Sequence, residues 1–245
     1  MGRVKRMEKD QIKSKYKRVL LKLSGEAMSA NTDEILNFDF MGEICKQIKA
    51  CADMGVQFGI VVGGGNIWRG RQGKSHNRTR SDAMGMLATV INSLALQDEL
   101  EAVGQKTIVM CSKQIPTVTD TYSRDVAIEY LERGYAVIIA GGTGNPFFST
   151  DTAGMLRAAE IDADIALLAK NVDGVYTADP KKDKNAKRLT EVTYDYILKN
   201  DITVIDLAAA GFGKENKLKV LLFALENPEN ITRAIMGNDI GTIIE

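Results

Sequence analysis

Four segments rich in glycine and hydroxyl residues each follow an apolar run, a pattern typical of loops that bind phosphate groups. They are residues 22–26 (KLSGE), 63–66 (GGGN), 141–150 (GGTGNPFFST) and 172–180 (VDGVYTADP). Glycine lets backbone N–H groups approach an anion closely, and the first turn of a following helix adds partial positive charge. Four such loops at successive strand ends predict a site for a nucleotide or another phosphate-bearing anion.

Two cations lie beside these glycines. Lys22 interrupts an apolar run, and Arg69 follows the triple glycine. Burying an ammonium group is costly unless its charge is used. Phosphoryl transfer requires positive groups that offset the charge on the moving phosphoryl group, and it requires no histidine. The sequence therefore favours phosphoryl transfer as the chemistry of this site.

The segments that must position these loops alternate between strand and helix patterns. Apolar runs predict strands at 19–23, 56–62, 107–111, 135–140, 164–169, 218–223 and 242–244. Helical spacing predicts helices at 40–54, 82–103, 124–133, 150–161 and 194–199, and another beginning at 227–228. This alternation predicts an α/β fold with a mainly parallel sheet, whose ligands gather at the carboxyl ends of the strands. Residues 16–245 are expected to form one domain after a flexible basic extension, 1–15.

The composition excludes several classes of protein. The 245 residues carry 32 basic and 32 acidic side chains, and this balance argues against a nucleic-acid-binding protein. No apolar run is long enough to span a membrane and no apolar signal core is present, so a cytoplasmic protein is expected. A single histidine, His76, and three scattered cysteines predict no zinc site. The motifs GxxxxGKS/T and GxGxxG are absent, which excludes a P-loop hydrolase and disfavours a dinucleotide-binding fold.

Five motifs together resemble the bacterial uridylate (UMP) kinases of the amino acid kinase superfamily. They are RVLLKLSGEA, GIVVGGGNIWRG, SDAMGMLATVINSLAL, GGTGNPFFSTDTA and VDGVYTADP, and the likeness extends from residue 17 to residue 244. The resemblance implies a three-layer αβα sandwich, the amino acid kinase fold, with an acceptor-binding half at about 16–165 and an ATP-binding half at about 166–245. It also implies transfer from ATP to UMP, Mg²⁺ without a protein ligand, a homohexamer and inhibition by UTP.

The resemblance also assigns roles to residues by motif. The implied catalytic residues are Lys22 and Arg69, as electrostatic clamps, and Asp151, which orients Lys22. The implied ATP site comprises Lys22, Leu23, Ser24, Gly25, Gly65, Arg69, Lys170, Asn171, Tyr176 and Asp179, of which the last four line the pocket for adenine and its ribose. The implied UMP site comprises Gly64, Asp82, Thr143, Gly144, Asn145, Pro146, Phe147, Phe148, Ser149 and Thr150, with Asp82 on the ribose hydroxyls.

Two segments depart from the family, residues 29–38 and 169–172, of which the second varies in length across the family; two alternatives stay open. Residues 29–38 lack the glycines of family members that GTP activates, which argues against activation by GTP.

A related kinase that phosphorylates a carboxylate or carbamate, such as acetylglutamate kinase, is disfavoured because the 141–150 loop suits a nucleotide phosphate. A non-catalytic protein that binds nucleotides or oxyanions on the same scaffold is disfavoured because Lys22, Arg69 and Asp151 are all present.

Overall fold

A computed structural model describes residues 14–29, 34–69, 77–178, 180 and 183–245. The strands are β1 (Arg18–Leu23), β2 (Gln57–Val62), β3 (Thr107–Cys111), β4 (Asp120–Thr121), β5 (Ala136–Ala140), β6 (Ile165–Lys170), β7 (Val175–Tyr176), β8 (Arg188–Leu189), β9 (Glu191–Val192), β10 (Val220–Ala224) and β11 (Gly241–Ile244). Nine of them form one sheet in the order β4-β3-β5-β2-β1-β6-β10-β11-β9. All neighbours in this sheet are parallel except β10 and β11, and β7 pairs separately with β8.

Helices cover both faces of the sheet. They are α1 (Gly25–Met28), α2 (Phe38–Asp53), α3 (Arg78–Ala102), α4 (Arg124–Glu132), α5 (Thr150–Glu160), α6 (Tyr194–Lys199), α7 (Leu207–Glu215) and α8 (Glu229–Ile235). Buried residues of α2, α3 and α8 form one hydrophobic core with the sheet, and those of α4, α5, α6 and α7 form a second core on the opposite face. The predicted three-layer αβα sandwich with a mainly parallel sheet is therefore confirmed.

The pleat of β1 decides where the predicted lysine lies. Val19, Leu21 and Leu23 pack into the first core and Leu20 into the second, because successive side chains of a strand point to opposite faces. Lys22 consequently shares the face of Leu20, beneath α5. Gly154 of α5 brings the helix close to β1 at this point, since a Cβ atom there would lie 3.4 Å from the Cβ of Lys22.

Several elements differ from the sequence prediction. Helix α3 begins at Arg78 rather than Asp82, because the Asn77 side chain caps it by accepting a hydrogen bond from the Arg80 amide at 3.1 Å. The short helix α1 and the helix α7 were not predicted. Both start at residues with capping side chains, Ser24 and Asp206. In the part of the chain that the structure describes, no helix combines the length and apolar character needed to cross a bilayer.

Candidate active site

Two neighbouring clefts open at the carboxyl edge of the sheet. The first cleft, of about 340 Å³, lies between α3 and the loop that follows β5. The second cleft, of about 450 Å³, is lined by residues that follow β1, β2 and β6. Gly65, Thr150 and Thr203 line both clefts, so a molecule in one would lie directly beside a molecule in the other.

Three charged side chains, Lys22, Asp151 and Lys170, form what we call the central cluster at the border of the two clefts. The Lys22 ammonium lies 3.0 Å from Oδ1 of Asp151, and the Lys170 ammonium pairs with Oδ2 of the same carboxylate. Lys170 also donates to the carbonyl oxygen of Val204. All three side chains are at most 16% exposed. The cluster therefore carries one net positive charge in a setting where water screens it little.

Burial and pairing act in opposite directions on the pKa values of the central cluster. Burial alone raises the pKa of Asp151, but the charges of Lys22 and Lys170 outweigh it, so the pKa lies below its ordinary value. For Lys170, burial lowers the pKa, and the carboxylate of Asp151 offsets only part of this effect. Asp151 is therefore ionised near neutral pH, and its carboxylate favours the charged form of Lys170.

The loop of residues 141–149 connects β5 to α5 and forms one wall of the first cleft. Gly141 and Gly142 have positive φ angles of 77° and 59°, which ordinary side chains disfavour. The hydroxyl of Ser149 caps α5 by accepting hydrogen bonds from the amides of Asp151, at 3.0 Å, and Thr152, at 3.2 Å. The positive end of the α5 dipole thus faces the border of the clefts, where an anion is favoured.

Asp206 joins the start of α7 to the start of α5. Its carboxylate accepts hydrogen bonds from the hydroxyls of Ser149 and Thr152 and caps α7 through the Ala209 amide at 2.9 Å. Asp206 also lines the first cleft. The segment that precedes α7 is therefore fixed to the 141–149 loop, and it carries both Asp206 and the carbonyl that Lys170 contacts.

Asp82 projects from the first turns of α3 into the first cleft. Nε of Arg78 lies 2.8 and 2.9 Å from its two carboxylate oxygens, and the Phe147 amide donates to Oδ2 at 2.8 Å. The Arg78 guanidinium also lies 5.5 Å from the centre of the Phe147 ring. Asp82 thereby ties the 141–149 loop to α3 across the cleft.

The glycines that follow β1 and β2 are required by close contacts between backbones. A Cβ atom at Gly25 would lie 2.5 Å from the amide nitrogen of Gly65, and one at Gly64 would lie 2.7 Å from the carbonyl oxygen of Gly85 in α3. Any larger residue at either position would push the backbones apart. The two glycine-rich loops are therefore packed together over the point where the clefts meet.

Arg69 lies on the rim of the first cleft next to this point. Its Nε donates to the carbonyl oxygen of Gly65 at 3.4 Å, and its guanidinium pairs with the carboxylate of Glu26. The side-chain amide of Asn171 donates to the same carboxylate at 3.3 Å. Glu26, on α1, thus links residues that follow β2 and β6.

The structure brings most of the predicted site residues together. The first cleft is lined by eight residues of the predicted UMP site, namely Gly64, Asp82, Thr143, Asn145, Phe147, Phe148, Ser149 and Thr150. The second cleft is lined by Lys22, Ser24, Gly25, Gly65, Lys170 and Asn171. Gly144 and Pro146 belong to the 141–149 loop without lining either cleft, and Leu23 is fully buried. Tyr176 lines neither cleft, and its hydroxyl contacts Asp173 at 3.0 Å. Asp179 lies outside the described residues.

Sequence reasoning missed several residues of the clefts that make specific contacts, and three of them contact predicted site residues through charged side chains. They are Asp206, Arg78 and Glu26, and each interacts with a residue that the sequence did identify. Asp206 carries a detectable signal, because an acidic residue directly before LAAAGF is a helix cap. The spacing of Arg78 and Asp82, four residues apart, is a helical ion-pair signal. The pairing of Glu26 with Arg69 depends on the folded loops and leaves no sequence signal.

The carboxylates of the clefts are engaged by protein groups. Asp151 is paired with two lysines, and Asp206 accepts hydrogen bonds from two hydroxyls and an amide. Among the described residues, no group of three or more histidine, cysteine, aspartate or glutamate side chains is arranged to hold a metal ion. A metal that enters these clefts would therefore have to bring most of its own ligands.

Comparisons with known proteins agree with this geometry. The model of the family described as the amino acid kinase family matches residues 17–227. A UMP kinase from Bacillus anthracis shares 37% identity and a TM-score of 0.90, over 94% of this chain and 96% of that chain. A UMP kinase from Ureaplasma parvum shares 33% identity and a TM-score of 0.89, over 94% and 98% of the two chains. A uridylate kinase from Archaeoglobus fulgidus shares 30% identity and a TM-score of 0.71, over 93% and 99%.

Proposed function

This chain belongs to the amino acid kinase family, and we propose that it transfers the γ-phosphoryl group of ATP to UMP, forming UDP and ADP. The observation that carries the proposal is the meeting of two clefts at a buried pair of lysines. A kinase acting on a nucleoside monophosphate must place two phosphate chains end to end, with cations at the transfer point. The similarity to UMP kinases from Bacillus and Ureaplasma selects UMP as the acceptor.

In this proposal the first cleft holds UMP. The N-terminus of α5 and the hydroxyls of Thr143 and Thr150 face the acceptor phosphate, while Asp82 accepts hydrogen bonds from the ribose. Asp82 retains this capacity because a carboxylate offers about four acceptor positions, and its present partners do not fill them all. The remaining residues of the predicted UMP site, including Gly144 and Pro146, act by shaping the loop.

The second cleft holds ATP. Its triphosphate lies along residues 22–25 and Gly65, where closely packed glycines leave room for an anion against the backbone. Asn171, Tyr176 and Asp179 are assigned to adenosine. The division into an acceptor half, about 16–165, and an ATP-binding half, about 166–245, remains part of the proposal. It is supported in that the first cleft is lined mainly by the first half, whereas the second cleft adds Lys170, Asn171, Val172, Thr203 and Val204 from the second half to residues of the first.

The reaction proceeds by in-line displacement. An oxygen of the UMP phosphate forms a bond to the γ-phosphorus while the bond between that phosphorus and the β–γ bridging oxygen breaks, and ADP leaves. The attacking oxygen is already an anion, so no general base is needed. Lys22, Lys170 and Arg69 offset the negative charge at the γ-phosphoryl group, and Asp151 holds the two lysines in place before the substrates arrive. In this scheme Lys170 lies at the transfer point rather than at the adenine.

Magnesium fits this site as a companion of the nucleotide. Because Asp151 and Asp206 are engaged by protein donors, no protein ligand is assigned to Mg²⁺, which would rely on the phosphate oxygens of the nucleotide and on water. When bound, the ion supplies additional positive charge on the donor phosphates. The chain itself contributes the fixed cations and the orientation of the two nucleotides.

Self-association is part of the proposal. Met84, Leu87 and Ile91 form an apolar row along one side of α3, and each is at least 45% exposed. Exposed apolar rows of this kind commonly mark interfaces between proteins. We propose that this row lies in an interface between copies of the chain. The resemblance to UMP kinases supports the further proposals of a homohexamer, a cytoplasmic location and inhibition by UTP, and the missing glycines of residues 29–38 support a lack of activation by GTP. Light scattering on the purified protein tests the assembly.

A coupled kinase assay tests the activity. We expect turnover with UMP, weaker turnover with CMP and dUMP, and none with acetylglutamate, in the presence of ATP and Mg²⁺. Parallel assays with added GTP and UTP test the proposed lack of activation by GTP and the proposed inhibition by UTP. Turnover of acetylglutamate instead of UMP would support the carboxylate kinase, and nucleotide binding without turnover would support the non-catalytic alternative.

A further inference from the structure

A buried arginine outside both clefts contacts the 141–149 loop from behind. Arg157 lies two helical turns beyond the N-terminus of α5 and is only 4% exposed. Its Nη2 donates to Oγ of Ser112 at 2.8 Å and to the carbonyl oxygen of Gly142 at 3.2 Å. The hydroxyl of Ser112 reaches the same Gly142 carbonyl at 2.9 Å. One charged side chain therefore contacts the loop both directly and through a serine.

Two further contacts hold the guanidinium, although among the described residues its buried Nε has no hydrogen-bond partner. Nη1 donates to Oε2 of Glu160 at 2.6 Å, and the central carbon of the guanidinium lies 4.1 Å from the centre of the Tyr122 ring. The Tyr122 hydroxyl donates to the same glutamate oxygen at 2.7 Å. Burial and this hydrogen bond raise the pKa of Tyr122, so its hydroxyl remains a donor at neutral pH. Arg157 is consequently held in one orientation.

The contact at Gly142 determines the direction of the next amide. A trans peptide points its carbonyl and its N–H to opposite sides, so the Gly142 carbonyl facing Arg157 turns the Thr143 N–H away from it. Both residues line the first cleft. Within the described residues, the Thr143 N–H has no protein acceptor. An amide that points into a cleft without a partner is a donor available to an anionic ligand.

We propose that Arg157 is a positioning residue for the acceptor phosphate, acting through the Gly142 carbonyl on the 141–149 loop. The inference rests on the proposed function, since it assigns UMP to the first cleft. A purely structural role of Arg157 would appear as a loss of stability with an unchanged KM for UMP, because removing one partner of a buried ion pair destabilises the fold. The orientation of the Gly142–Thr143 peptide, in contrast, requires the donor itself.

The test compares Arg157→Met and Arg157→Lys with the wild-type protein. Methionine retains much of the volume without the donors, and lysine retains the charge without the planar fork that reaches Ser112 and Gly142 together. Arg133→Met is the matched control, because Arg133 also pairs with a glutamate and stacks on tyrosine rings, but on an exposed surface. We expect Arg157→Met to raise the KM for UMP by about tenfold to a hundredfold, with the KM for ATP nearly unchanged. Arg157→Lys is expected to fall between Met and wild type, and Arg133→Met to match wild type.

Two further measurements are independent of turnover. Hydrogen exchange at residues 141–145 is expected to accelerate in Arg157→Met and not in Arg133→Met. In a double-mutant cycle with Ser112→Ala, the effects on the KM for UMP are expected to be less than additive, because both side chains hold the same carbonyl. Active variants with unchanged KM for UMP and unchanged loop exchange would overturn the inference. If hydrogen exchange at residues 141–145 differs between the variants as expected but the wild-type protein does not phosphorylate UMP, the proposed function is overturned instead.

Discussion

The central cluster and the rim of the first cleft are built from different parts of the fold and differ in their exposure to water. Lys22, Asp151 and Lys170 come from two strands and a helix, are nearly excluded from water, and neutralise one another in part. Phe147 and Phe148 on the rim come from a loop and are 65% and 53% exposed. The groups proposed for chemistry are thus placed by regular elements, whereas the aromatic side chains of the rim are placed by a loop.

This difference follows from what each task requires. A cation that stabilises a transferring phosphoryl group is most effective when it is oriented before the substrate binds. Regular elements provide that orientation, because their backbones are held by neighbouring strands and by the capped helix α5. A loop that closes around a nucleoside must instead accommodate binding and release. The comparison predicts large catalytic effects from the cluster, selective binding effects from the rim and small stability effects from exposed loop residues.

The largest effect is expected for Lys22→Ala. Loss of a preorganised cation at the transfer point should lower kcat by about a hundredfold to a thousandfold or more. Circular dichroism is expected to show an unchanged fold, because Asp151 retains Lys170 as a partner. Lys46→Ala, which removes an exposed lysine paired with Glu43, is the matched control and should keep full activity. Near-normal turnover of the Lys22 variant would contradict its catalytic role.

Asp151→Asn should affect both activity and stability. The substitution leaves two buried ammonium groups without their anion, which costs about 3–5 kcal/mol in the free energy of unfolding. Because Asp151 has a lowered pKa in the folded protein, its stabilising contribution is complete above its unfolded pKa of about 3.9. That contribution disappears as the pH falls through the lower, folded pKa. Urea denaturation of the wild-type protein and of Asp151→Asn over a pH series measures this loss. The free energies of unfolding of the two proteins should converge at acid pH.

Asp151→Asn should also shift the alkaline limb of the pH profile of kcat to lower pH. Burial already lowers the pKa of Lys170, and the Asp151 carboxylate is what offsets it. Without that carboxylate the pKa of Lys170 falls further, so Lys170 loses its proton at a lower pH and activity declines earlier as the pH rises. An unshifted alkaline limb would show that Lys170 is not needed in its charged form.

A selective binding effect is expected for Asp82→Asn. The amide keeps the size of the side chain but loses the charge and half of its acceptors, so the KM for UMP should rise by about tenfold. The KM for ATP should change by less than about twofold, since Asp82 lines only the first cleft. Steady-state kinetics with each nucleotide varied in turn makes the measurement. Equal losses for both nucleotides would argue against placing UMP in that cleft.

The smallest effect concerns Phe147, which adopts a left-handed φ of 73°. For a residue with a Cβ atom, the left-handed conformation is about 1–2 kcal/mol less favourable than the right-handed one, whereas glycine has no such penalty. We therefore expect Phe147→Gly to unfold with a free energy about 1 kcal/mol higher than Phe147→Ala in urea titrations. The comparison of two small residues removes the contribution of the ring and of its contact with Arg78. An equal stability of the two variants would show that the loop adopts another conformation in solution.

Local patterns predicted the elements on which the site is built. The apolar runs at 107–111 and 135–140 coincide with β3 and nearly with β5, because a strand covered on both faces must be continuously apolar. Helix α5 was predicted to within one residue, since Ser149 supplies a recognisable cap. Helix α7 was missed because LAAAGFG has neither charges nor a clear periodicity, and its stability depends on packing against α5 and α6.

The order of residues alone determined the alternation of strands and helices, the glycine loops at the strand ends and the presence of Lys22 in an apolar strand, because these depend on the preferences of short segments. Only the tertiary structure decided which charges meet. The two lysines that flank Asp151 are 148 positions apart in the chain, and Asp206 reaches Ser149 from 57 positions away. Such pairings are set by the order of strands in the sheet, which brings β1 next to β6 and beneath α5. No short segment encodes that order, since it results from burying both faces of the whole sheet at once.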